Sequence, residues 1–179
     1  MKVEERIQKA RIRVMMRIKL FAPFIVGMDH VIDESIDTAC TDGRTVRYNP
    51  DFCSKLSDTQ LQTLVFHEAG HVFLDHHLRR GTRDPQDYNI AGDHIINLLA
   101  LDYRFTPIEH WICDSKYQGY ATEQVYDDIH QDKKDQSQGG DQGGDQGGDQ
   151  GGDQGGDQGQ GGGKETSQGQ IIGEVEDMK

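Results

Sequence analysis

Residues 61–78 read LQTLVFHEAGHVFLDHHL, an apolar run with two histidines and a glutamate at its centre. Just before it, Ser57 and Gln60 have the three-residue separation of a capping box, which predicts that a helix begins after Ser57. The helix is expected to end near Gly81, because glycine is the preferred residue just beyond a helix C-terminus. The stretch therefore predicts one long amphipathic helix whose central histidines share a face with its leucines.

The two histidines of HEAGH lie one helical turn apart. On a wheel of about 100° per residue, His71 lies about 40° from His67, and Glu68 lies about 100° from it. Two imidazoles placed in this way can bind one zinc ion at about 2.0–2.1 Å each. Glu68 is too far round the helix to be an easy third ligand, but it can take a proton from water that attacks a carbonyl group. The pattern predicts a Zn²⁺ site with His67 and His71 as ligands and Glu68 as general base.

Two more histidines follow on the same predicted helix, His76 and His77. His77 has the spacing of the third histidine in the metzincin motif HExxHxxGxxH, but Leu74 occupies the position of the glycine at which the chain must turn. Because the helix is expected to continue to Gly81, His76 and His77 are predicted to face solvent, away from the metal.

A second helix is predicted over residues 86–101, which contain YNIAGDHIINLLA. Asn89, Asp93 and Asn97 form a polar stripe along this otherwise apolar helix. Buried polar groups need partners, and a metal site would supply them: Asp93 as the third zinc ligand and Asn97 as a hydrogen-bond partner of a ligand histidine. Two alternatives remain open, namely His94 as the third ligand, or a hydrogen-bond network between the helices without metal.

The segment HEAGHVFLDH, followed by YNIAGDHIIN, resembles the zincin-type metallopeptidase domain that often precedes a von Willebrand factor A-like domain in bacterial and phage proteins. The resemblance covers roughly residues 3–131 and includes RYNPDF and ATEQVYDDI. It implies a zinc-dependent hydrolase, a protease that cleaves a peptide or protein substrate lying extended against an edge strand. It also implies a third, acidic metal ligand from the helix that follows HExxH.

The remaining elements give the predicted fold class. Residues 38–48 predict a β-hairpin around a DG turn dipeptide, and this hairpin is the candidate substrate-binding edge. A first helix is predicted over residues 3–21, and a last one over about 123–130. We therefore expect an α+β fold, a mostly helical zincin-like domain with a small β-hairpin or sheet, in residues 1–131.

The end of the chain differs in composition from the rest. The unit GGDQ repeats five times from Gly139 to Gln158, and 16 of the 22 glycines lie from Asp135 onward. Such a segment has almost no apolar surface to offset the loss of backbone entropy, so residues 132–179 are predicted to be a disordered acidic tail. Of the net charge of −12, −8 lies from Asp135 onward. No domain-wide basic surface indicates nucleic acid as a partner, and the basic stretch over residues 2–19 is predicted to be a packed helix with a charged outer face. The tail is a candidate tether to a partner protein.

The three cysteines, Cys40, Cys53 and Cys113, have no CxxC spacing, which favours reduced thiols. No apolar run is long enough to cross a bilayer, and no apolar signal segment follows Met1. We expect a cytoplasmic protein, in a bacterial cell or in the host cell if a phage encodes it. A different class of function stays open beside the peptidase: a catalytically silent zincin-fold module for binding or assembly.

Overall fold

The computed structural model describes residues 1–138 and 174–175. Its α-helices are α1 (Val3–Arg17), α2 (Ala22–Gly27), α3 (Pro50–Lys55), α4 (Asp58–Phe73), α5 (His76–Arg79), α6 (Pro85–Asp102) and α7 (Thr122–Gln138). Its strands are β1 (Asp29–Ile32), β2 (Ala39–Thr41), β3 (Thr45–Tyr48) and β4 (Glu174–Val175), and short 3-10 turns lie at Lys19–Phe21 and Ser115–Tyr117. This arrangement confirms the predicted α+β class, mostly helical with a small sheet.

The strands form one sheet in the order β1-β3-β2-β4. The predicted hairpin is confirmed, because β2 and β3 pair antiparallel across the turn after Thr41. In that turn the carboxylate of Asp42 accepts hydrogen bonds from the backbone amides of Arg44 and Thr45. Gly43 has φ of +89°, a left-handed conformation that glycine adopts without a steric penalty. β1 and β4 lie parallel to their neighbours β3 and β2.

Helix α4 is the central element, with α1 and α6 packed against it and β2 beside it. The main core joins these elements through buried apolar side chains, among them Ile7, Val14, Phe21, Ile25, Val46, Leu64, Phe66 and Ile96. Helix α1 is rich in Lys and Arg, and it contributes its apolar residues Ile7 and Val14 to this core. A smaller cluster joins α6 to α7 and includes Tyr88, Leu98, Tyr117 and Val125.

Helix α4 ends earlier than predicted. It stops at Phe73, and Asp75 has φ of +55°, after which the short helix α5 begins at His76. Aspartate is one of the few non-glycine residues that adopt this left-handed conformation readily. The turn brings His76 back into the protein, where 1% of it is exposed, and leaves His77 half-buried. The prediction that both histidines face solvent was therefore wrong.

Further features of the fold bear on the predictions made from the sequence. Helix α1 ends at Arg17, and Pro23 lies in the first turn of α2, where its missing N–H costs nothing. Helix α7 continues to Gln138, and most of the predicted tail, residues 132–179, lies outside the described residues. Cys40, Cys53 and Cys113 form no disulfide and are reduced thiols, as predicted. In residues 1–138 and 174–175, no helix combines the length and the apolar character that a membrane span requires.

Candidate metal centre

The N-terminal cap and the packing of α4 set the direction of its histidines. Ser57 and Gln60 form the predicted capping box. Where α4 packs against α6, Gly70 of α4 faces Ile96 of α6, and a Cβ added at Gly70 would lie 2.9 Å from Ile96 Cγ2. Only a glycine fits at that distance, so Gly70 lets the two helices approach closely. The close approach brings Asp93 of α6 opposite the HEAGH segment.

His67, His71 and Asp93 meet in the interior between the two helices. The Nε2 atoms of the histidines are 3.0 Å apart, and Asp93 Oδ1 lies 3.4 Å from His67 Nε2 and 3.2 Å from His71 Nε2. In a tetrahedral zinc site with bonds of about 2.0–2.1 Å, two ligand atoms are about 3.3–3.4 Å apart. The three donor atoms are therefore spaced as the corners of such a site require.

Asn97 fixes which nitrogen of His67 carries the proton. The Asn97 side-chain amide donates to the backbone carbonyl of Ile112 at 2.8 Å, so its Oδ1 is the atom that lies 2.9 Å from His67 Nδ1. An amide oxygen can only accept, and His67 Nδ1 must therefore be the donor. In the neutral ring the lone pair is then on Nε2, the atom that faces His71 and Asp93.

A second chain of hydrogen bonds holds His71. Its Nδ1 lies 3.0 Å from His76 Nδ1, and His76 Nε2 lies 2.9 Å from the hydroxyl of Thr122. With both rings neutral, these bonds are satisfied when His71 Nδ1–H donates to His76 and His76 Nε2–H donates to Thr122. This arrangement leaves the lone pair of His71 on Nε2. A Cβ at Gly92 would lie 2.7 Å from His76 Nδ1, so His76 fits only because residue 92 is glycine.

Each of the three residues of the cluster directs a hydrogen-bond acceptor toward the other two. Two imidazole lone pairs and a carboxylate oxygen converge on one point, and neither oxygen of Asp93 makes a hydrogen bond within residues 1–138. At most 1% of each residue, His67, His71 and Asp93, is exposed, so bulk water cannot supply the missing hydrogen bonds. Leaving such groups unpartnered is costly. A divalent cation at that point would resolve the cost, and two imidazoles with a carboxylate form a donor set that suits zinc and other transition metals.

Glu68 lies next to this cluster and is fully buried. Neither of its oxygens has a hydrogen-bond partner in the part of the chain that the structure describes. Burial raises the pKa of Glu68 to about 8, with the charge of Asp93 adding to the shift and His67 opposing it. For His67, burial lowers the pKa, but Asp93, Glu68 and Asn97 together outweigh burial and the net shift is upward. A carboxyl group that exchanges its proton near neutral pH is suited to acid–base chemistry.

The other sequence-predicted candidate, His94, lies apart from the cluster. Its Nδ1 accepts a hydrogen bond from the backbone amide of Asp114 at 3.1 Å, and its ring packs against Tyr117. His76 was predicted to face solvent, and its contact with Thr122 was not predicted, because that contact depends on the break in the helix at Asp75. The tolerance of aspartate for a left-handed conformation was the one local signal of that break.

Comparison with known proteins adds one match. A family model described as "Putative metallopeptidase domain" matches residues 2–176, which include both helices that supply the cluster. No curated protein and no solved structure matches the chain.

Proposed function

The chain belongs to the family of the putative metallopeptidase domain, and on this premise we propose that it is a zinc-dependent peptidase that hydrolyses peptide bonds. The family membership confirms the resemblance predicted from HEAGH and YNIAGDHIIN. One observation carries the proposal: two imidazole lone pairs and the carboxylate of Asp93 converge in the interior at the spacing of a tetrahedral metal site.

In this proposal His67, His71 and Asp93 hold the metal. When bound, zinc supplies a Lewis acid that polarises a carbonyl group and lowers the pKa of water to near 7. The buried oxygens of Glu68, which have no partner in residues 1–138, take the proton of the attacking water and later deliver it to the leaving amine. Burial raises the pKa of Glu68 to about 8, which makes its carboxylate a stronger base for this proton transfer.

Residues around the cluster hold the ligands in place. Asn97 keeps the proton of His67 on Nδ1, and His76 does the same for His71. Such hydrogen-bond partners raise the basicity of a ligand and fix its orientation. The substrate of the proposal is an extended peptide, and strand β2 is its docking edge because β2 packs beside α4.

The test replaces Glu68 with glutamine, which has the same size but cannot accept a proton. Purified Glu68→Gln is expected to bind one equivalent of zinc, as the wild type does, and to cleave a labelled unfolded protein about 10²–10⁴ times more slowly. Asp93→Ala is the matched control, since it should lose both zinc and cleavage. Zinc added after chelation should restore cleavage in the wild type only. An unchanged rate in Glu68→Gln would remove Glu68 from the mechanism.

The second candidate function is a binding or assembly module that holds a metal without turnover. The burial of the cluster favours it, because His71, Asp93 and Glu68 are completely enclosed, and metal sites without an open position serve structure. In that case the protein binds one equivalent of zinc, chelation lowers its thermal stability, and neither wild type nor Glu68→Gln cleaves the unfolded protein.

A further inference from the structure

Residues near the C-terminus return to the domain and pair with its sheet. Glu174 and Val175 form β4, which lies parallel to β2 with Cys40 opposite Glu174 and Thr41 opposite Val175. Thirty-five residues separate Gln138, the last residue of α7, from Glu174. Without β4, β2 would be the edge strand of the sheet.

Strand β2 runs past the candidate metal centre. At its start, Ala39 is paired with Tyr48, whose pKa is raised first by burial and then by the charge of the nearby Glu68 carboxylate. Beyond its end, the turn residue Gly43 lies against the ring of His77, and a Cβ added there would be 2.6 Å from that ring. The edge of β2 therefore extends from the Glu68 side of the cluster to the His77 side.

The backbone of β2 has a defined set of groups that point toward β4. The backbone carbonyl of Thr38 accepts a hydrogen bond from the amide of Asn49, and the amide of Asp42 donates one to the carbonyl of Thr45. The backbone N–H and C=O groups of even-numbered residues in β2 therefore point toward β3. In an antiparallel ladder this orientation alternates with each residue. The amides of Ala39 and Thr41 consequently point away from β3, to the side on which β4 lies.

We propose that residues 174–175 are a built-in occupant of the peptide-binding edge of β2, and that an incoming extended peptide must displace them. The chain thereby restrains access to its own candidate centre. The strand addition stands on the pairing of β4 alone, whereas the restraint of cleavage rests on the proposed peptidase function. An edge strand is a ready template for such an addition, since its unpaired amides and carbonyls bond to any extended segment.

The length of β4 suits a displaceable occupant. Two residues contribute few backbone hydrogen bonds, and short strands pair weakly. Attachment to the same chain compensates, because a tethered segment can be present at an effective concentration of about 1 mM. A free peptide that pairs over more residues can therefore compete with it.

The experiment uses the full-length chain with both residues of β4 changed to proline, Glu174→Pro with Val175→Pro. Proline has no N–H to donate and breaks the ladder. Glu174→Thr with Val175→Thr is the matched control, because threonine keeps both N–H groups and favours strands. In the parallel register of Cys40 opposite Glu174, the Thr41 amide donates to the Glu174 carbonyl. Amide hydrogen exchange of Thr41 should become about tenfold faster in the proline variant, and stay unchanged in the threonine variant.

Cys40 is an internal control, since its amide faces β3 and should exchange at the same rate in all three proteins. A labelled peptide with the sequence of residues 170–179, QIIGEVEDMK, should bind the proline variant about tenfold more tightly than the wild type, because the edge is free. Equal exchange at Thr41, or equal peptide affinity, overturns the inference.

Cleavage assays separate this inference from the proposed function. If the chain is a peptidase, the proline variant should cleave an unfolded protein faster than the threonine variant, and equal rates overturn the restraint. If no variant cleaves, the peptidase proposal fails, and amide exchange and peptide binding still decide whether β4 occupies the edge.

Discussion

Replacement of Asp93 by asparagine tests the metal centre most directly. Asparagine keeps the size and shape of the side chain but removes its negative charge. Asp93 is fully buried, with Oδ1 at 3.4 and 3.2 Å from the Nε2 atoms of His67 and His71. Loss of a hydrogen-bond partner behind a ligand typically weakens metal binding about 10–100-fold. Because Asp93 would be a ligand itself, we expect the zinc Kd to rise at least about 100-fold.

The expected change in stability follows from this change in affinity. Free zinc at about 100 times the wild-type Kd stabilises the folded wild type by about 2.7 kcal/mol. With a Kd about 100 times higher, the same zinc concentration stabilises the variant by about 0.4 kcal/mol. The difference is about 2.3 kcal/mol. For a folded region of this size, Tm shifts by about 3–5 °C for each kcal/mol of stability. The zinc-induced rise in Tm should therefore be smaller in the variant than in the wild type by roughly 7–12 °C.

Scanning calorimetry with zinc and with chelator, beside a zinc titration, measures both quantities. In chelator we expect Asp93→Asn to be about as stable as the wild type, because the substitution also removes a buried carboxylate that makes no hydrogen bond within residues 1–138. Suppose instead that the variant is several kcal/mol less stable in chelator yet keeps the full zinc-induced rise in Tm. Asp93 would then belong to a metal-free network between the helices and would not be a metal ligand.

Gly70→Ala should lower the free energy of unfolding by about 1–3 kcal/mol, because the new Cβ would lie 2.9 Å from Ile96 Cγ2. The double variant with Ile96→Ala should lose less than the sum of the two single losses in urea titrations, and simple additivity would contradict the close approach. His76→Ala should weaken zinc binding about 10–100-fold, since His76 holds Nδ1 of His71; an unchanged Kd excludes that role. Burial lowers the pKa of His30 to about 4, whereas the unfolded chain has a histidine pKa of about 6.5. Between these values the unfolded state binds more protons, so stability should fall as pH decreases from about 6.5 to 4, and His30→Gln should flatten this dependence. If the free energy of unfolding, measured in urea titrations at several pH values, depends on pH equally in the variant and the wild type, His30 is not held neutral in the folded state.

The sequence by itself determined the parts of the site that depend on local rules. A capping box fixes the first turn of a helix through bonds within four residues, and the start of α4 was therefore predictable from Ser57 and Gln60. The hairpin followed from its DG turn in the same way. Helical periodicity then placed His67 and His71 one turn apart on a buried face, and Asp93 on the inward stripe of the next helix.

Only the tertiary structure decided how these pieces meet. Asp93 and His94 are neighbours on one helix and point about 100° apart, so a modest rotation of α6 would exchange them. The contact of Gly70 with Ile96 sets how closely α6 approaches α4, and Asp93 faces the histidines in that packing. The sequence named both residues but could not fix the rotation.

The same holds for His76 and for β4. A left-handed Asp75 is allowed locally, but it becomes the preferred conformation because the turn lets His76 bond to His71 and Thr122 in the interior. The pairing of β4 with β2 joins segments more than 130 residues apart, and no local pattern encodes it. Local hydrogen bonds and periodicity are properties of a short window of sequence, whereas side-chain contacts between distant segments exist only once the whole domain has packed.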